Sequence, residues 1–98
     1  MEKFKVIMTG ETADLPEPFM LADRSFGCRL TVHAYSLSYV GTNRCVRGGD
    51  YTVEVPDGSC WLHLRRSVPG SRVLVCGLLS GSVVRGCRII TKQREDSL

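Results

Sequence analysis

The sequence predicts an all-β protein, a single small antiparallel barrel or sandwich of about six strands. Three observations carry that prediction. From residue 28 onward, short apolar runs alternate with tight-turn signals, so the chain reads repeatedly as strand and turn. The turns hold the residues their geometry asks for: Gly48-Gly49-Asp50, Pro56-Asp57-Gly58, Val68-Pro69-Gly70 and Ser80-Gly81-Ser82. The 98 residues, 43% hydrophobic and 23% charged, fit one globular domain over 1–98 and are too apolar for a disordered chain.

Each element follows from its own residues. Residues 3–9 alternate in part (Lys3, Phe4, Lys5, Val6) before Ile7 and Met8, which predicts a first strand. Residues 11–27 are expected to form a proline-containing loop or a short helix. Pro16 and Pro18 cannot donate to a strand ladder, while Asp14 could cap a helix and Gly27 follow it. Phe19, Met20, Leu21 and Phe26 would then lid an open end of the core. Residues 28–40 alternate, with Leu30, Val32 and Ala34 on one face. Arg29, Thr31, His33, Tyr35, Leu37 and Tyr39 share the other. Gly41–Asn43 turn the chain, and further strands are expected at Tyr51–Val55, Cys60–Arg65, Arg72–Leu79 and Val83–Lys92. Residues 93–98 read as a flexible acidic tail. Gly58-Ser59, Gly70-Ser71 and Gly81-Ser82 each precede an apolar strand, a spacing that hairpins produce and a short β-solenoid would too.

Residues 73–79 (Val-Leu-Val-Cys-Gly-Leu-Leu) are apolar on both faces, so this strand is expected to be covered on both sides. A second copy of the chain could provide the cover. Val73, Leu74, Val75, Leu78 and Leu79 would then form the interface of a homo-oligomer.

Charge is distributed unevenly behind the net +3. Residues 1–27 hold three cations against five carboxylates, whereas residues 28–94 hold ten against three. A basic body of this kind favours polyanions or an acidic protein surface as partner. No apolar run reaches the ~18–20 residues a membrane span needs and no signal peptide opens the chain, so a cytoplasmic protein without membrane contact is expected. Five cysteines (28, 45, 60, 76 and 87) form no C-x-x-C pair. They read as free thiols in a reducing compartment, most of them acting as small hydrophobes.

The catalytic constellations are missing at the level of spacing. Cys60 and His63, like Cys28 and His33, are an odd number of residues apart, which on a strand sends them to opposite faces. No H-E-x-x-H, calcium loop or phosphate-binding glycine motif occurs. The expectation is a non-enzymatic protein without cofactor or metal.

The most informative pattern is a surface. Arg29, His33 and Tyr35 share one face of their strand, Trp61, His63 and Arg65 share one face of theirs, and Arg72 opens the next strand. Rings interleaved with arginines suit single-stranded nucleic acid, because bases stack on the rings while the guanidinium groups track phosphates. Small barrels of the OB and cold-shock kind use such a face. These seven residues are therefore the expected binding residues, with Trp61 and Tyr35 stacking.

Overall fold

A computed structural model describes residues 3–21, 23–56 and 70–92, excepting the side chains of 86–88, 91 and 92. The described residues form seven strands: β1 (Phe4–Thr12), β2 (Glu17–Met20), β3 (Phe26–Tyr39), β4 (Cys45–Arg47), β5 (Asp50–Val55), β6 (Arg72–Ser80) and β7 (Val83–Lys92). Five of them close on themselves in the order β1-β6-β7-β5-β3, with β3 returning to β1. Among the barrel pairings all are antiparallel except β5 with β7, which run parallel through Thr52–Val83, Val53–Val84 and Glu54–Arg85. The chain is thus all-β and barrel-shaped as expected, and the closed ring replaces the alternatives of a sandwich or a solenoid.

The core is built from the period-two alternation of each strand. Val6 and Met8 of β1, Leu30 and Val32 of β3, Val53 of β5, Val75 of β6 and Val84 of β7 are each 2% exposed or less. Most of these are β-branched, a shape that packs well on a pleated, half-buried surface.

Two bulges interrupt the alternation, and both change which side chains face inward. On β3 the register against β1 slips between Thr9 and Gly10, leaving Tyr35 as the extra residue. Beyond it Leu37 is buried completely and Tyr39 packs against the core. The alternation that put these two beside His33 and Tyr35 is corrected by this one-residue insertion. Gly10 makes the bulge feasible: a Cβ there would lie 2.2 Å from the His33 carbonyl oxygen, so only glycine admits the displaced backbone. The second slip, between Cys76 and Leu78 against Arg88 and Arg85, places its extra residue on β7.

Residues 11–27 depart from the expected loop or helix. Glu17–Met20 pair antiparallel with Arg29–Phe26 as an edge strand. Pro18 is tolerated there because an edge strand has one side without ladder bonds. Met20 and Phe26 are exposed and do not lid the core, whereas Phe19 and Leu21 are half-buried. Phe19 lies over Gly27, where a Cβ would come within 2.5 Å of the Val55 carbonyl and 3.1 Å of the Phe19 ring.

The expectation for β6 is corrected on one face. Val73, Val75 and Leu79 point into the barrel and belong to this chain's own core, so they are not available to a second copy. Leu74, half-buried, and Leu78, exposed, lie on the outer wall. The expected Cys60–Arg65 strand and the 93–98 tail lie outside the described residues. Of the cysteines, Cys28 is buried and Cys76 half-buried, but Cys45 is exposed on β4.

Candidate functional site

The long strand β3 divides the barrel exterior into two walls of different electrostatic character. On one wall β2, β3, β5 and β7 bring a row of alternating charge into register: Glu17 beside Arg29, Arg29 beside Glu54, and Glu54 beside Arg85. Arg29 Nη2 is 3.2 Å from Glu17 Oε1, and its guanidinium lies 5.6 Å from the centre of the Phe19 ring. Arg85 Nε donates to Glu54 Oε1 at 2.7 Å. Further along β3, His33 Nδ1 is paired with the Asp50 carboxylate. The expected binding residues Arg29 and His33 are exposed on β3, but each already faces a carboxylate. Such exposed pairs contribute little to stability; the effect of Glu17 is to balance the charge of Arg29.

The other wall starts at the β3 bulge. Tyr35, about half exposed, is turned outward by its extra position in the strand. Its hydroxyl donates to Glu11 Oε2 at 2.7 Å. That hydrogen bond to a carboxylate raises the phenol above its ordinary pKa, with Arg72 working in the opposite sense. Arg72 stands opposite Glu11 in the β1–β6 register. Below them opens a groove of about 510 Å³ lined by Thr9, Gly10, Tyr35, Arg72, Val73, Leu74 and Ile90. An exposed ring, a guanidinium and an apolar floor thus meet in one place. That combination can hold a flat, partly apolar, anionic ligand.

Of the predicted residues, Tyr35 and Arg72 come together, His33 lies one register step from them through Glu11, and Arg29 lies further along the charge-balanced wall. Trp61, His63 and Arg65 lie outside the described residues. Sequence reasoning missed the carboxylates Glu17, Asp50 and Glu54 and the groove residues Thr9 and Ile90. Glu54 and Arg85 are 31 residues apart, and only the strand register makes them neighbours. No group of three or more His, Cys, Asp or Glu is placed to hold a metal among the described residues. No helix among them is long and apolar enough to cross a membrane.

No protein-family model matches the chain, and no curated protein matches it. Among solved structures it is similar to a Plasmodium falciparum SSB in complex with ssDNA, with a TM-score of 0.58 and 13% sequence identity. The likeness covers 92% of this chain and 95% of that one. At that identity the likeness is one of fold, a closed five-stranded barrel of the OB type with additional strands.

Proposed function

We propose that the protein binds single-stranded nucleic acid in the groove beside Tyr35 and Arg72. The observation that carries this reading is the outward Tyr35 ring, held at a bulge next to Arg72 over an apolar groove. The barrel's fold is shared with an SSB solved in complex with ssDNA, which supports the same reading. Tyr35 stacks a base, the groove floor takes its apolar face, and Arg72 meets a phosphate. Arg29 and His33 play a smaller part, because a phosphate at either must displace Glu17 or Asp50. Trp61, His63 and Arg65 complete the proposed binding set from the sequence. The protein acts by binding, without a cofactor.

The test is titration of a labelled single-stranded oligonucleotide with the full chain, followed by anisotropy at low and high salt. Binding saturates and weakens as salt rises, since phosphate contacts release counterions. The absence of saturable binding at low salt would refute the proposal.

A second reading, self-association, is favoured by the exposed apolar residues Ile7, Leu78 and Ile90 on the β1–β6–β7 exterior. In that case the mass in solution lies well above 10.9 kDa regardless of salt, and Leu78→Lys returns it to the single-chain value. Sedimentation giving the single-chain mass at all accessible concentrations would exclude it.

A further inference from the structure

The end of the barrel where β1 begins and β3 turns into β4 carries a second cluster of rings and cations. The Phe4 and Tyr39 rings meet edge to face, with centroids 5.5 Å apart and planes at 72°. The Arg44 guanidinium lies 4.8 Å from the Tyr39 ring centre. The turn that holds them is well tied. Thr42 donates through both its amide and its hydroxyl to the Tyr39 carbonyl, and the Arg44 amide donates to Thr42 Oγ1 at 3.0 Å. The Val40 amide donates to the Lys5 carbonyl at 2.9 Å, joining the turn to β1. Phe4 nevertheless remains 42% exposed.

The electrostatics here differ from the charge-balanced wall. Lys3, Lys5, Arg44 and Arg47 are all exposed, and none has an ion pair among the described residues. Residues 3–10 and 34–49 contain no carboxylate at all. Between this cluster and the Tyr35 groove runs the β1–β3 seam, where Thr9 faces Ser36 and Ile7 faces Ser38. Thr9 Oγ1 and Ser36 Oγ are hydrogen-bonded at 3.0 Å. The seam is uncharged, and four residues of strand from Tyr35 to Tyr39 cover roughly 13 Å.

We infer that Phe4, Tyr39 and Arg44 form a second nucleic-acid contact, so that one single strand crosses the β1–β3 seam from the Tyr35 groove to the β3–β4 turn. This inference rests on the nucleic-acid reading above. Bases stack on the open face of Phe4 and on the outer plane of the Arg44 guanidinium, whose N–H edge meets one phosphate, while Lys5 and Arg47 meet others. Single strands alone present base faces for such stacking, and a path of this length accords with the ~4–16 nucleotides an OB-type barrel accommodates.

The experiment measures binding of the full chain to two oligothymidylates, one short enough to fill only the Tyr35 groove and one long enough to reach the turn. Arg44→Ala, at an exposed turn, weakens the longer strand about tenfold and leaves the shorter one unchanged. It also lowers the slope of log affinity against log salt by about 0.7. Arg44→Lys restores most of that slope but not the full affinity. Phe4→Leu, which keeps an apolar group at the barrel end, weakens the longer strand selectively as well. The inference is overturned if Arg44→Ala and Phe4→Leu bind both lengths as the parent chain does while Tyr35→Ala weakens both. Failure of the parent chain to bind either length removes the groove reading and this one together. Equal binding of a polyglutamate peptide would overturn it in favour of an acidic protein partner.

Discussion

Tyr35 owes its position to a backbone irregularity and its protonation to a neighbour. The bulge turns its ring outward, and its hydroxyl rests on the Glu11 carboxylate at 2.7 Å. The neutral phenol is the donor in that bond, so the native state holds its proton to a higher pH than the ordinary value of 10.0. The associated stabilisation is present below the ordinary pKa and is lost as pH rises through the raised one. Glu11→Gln is expected to bring one tyrosine's ionisation back toward the ordinary value, read as phenolate absorbance during an alkaline titration. An unchanged titration curve would show that Glu11 does not control this phenol. Part of this is legible in the sequence: Arg29, His33 and Tyr35 are all exposed on β3, but the bulge sends Tyr35 to a different wall from the other two. Their carboxylate neighbours were not legible, because Glu17 and Asp50 become partners only through strand pairing.

At the scale of elements, the β3 bulge joins fold to site. Without it, period-two alternation would leave Leu37 on the surface; with it, Leu37 is wholly buried. The bulge depends on Gly10, whose missing Cβ admits the His33 carbonyl. Gly10→Ala is therefore expected to destabilise the protein by about 2 kcal/mol or more, because backbone on both strands must move. Equilibrium unfolding in urea measures this, and an unchanged midpoint would mean the β1–β3 seam yields easily. The sequence contained both halves of this arrangement, a glycine in one strand and a phase change in another. Neither residue reveals the slip until the strands are paired. Edge strand β2 makes a related point. Proline rules out a central ladder position but leaves an edge one open, and the edge was invisible before the sheet order was known. Strand β6, expected to be covered on both faces, is covered on one: its inner face serves the barrel core, while on its outer face Leu74 lines the groove and Leu78 is exposed.

At the scale of the whole molecule, closing the sheet removes the free edges of its five strands and leaves curved walls as the main surface. Charge is then sorted between walls. Carboxylates from the acidic first part of the chain and from β5 neutralise the cations on the β2–β3–β5–β7 wall. On the opposite wall Arg72 stands across from Glu11, and the start of β1 and the β3–β4 turn keep Lys3, Lys5, Arg44 and Arg47 without an ion pair among the described residues. Under the nucleic-acid proposal, those unpaired cations are what meets the polyanion in a protein whose net charge is only +3. The most direct test compares the parent chain with Tyr35→Ala by anisotropy of a labelled single-stranded oligonucleotide, at low and high salt. The account predicts saturable, salt-sensitive binding that falls about tenfold or more in the variant while its unfolding midpoint stays near that of the parent. Equal affinity of the two proteins, or binding indifferent to salt, would contradict it.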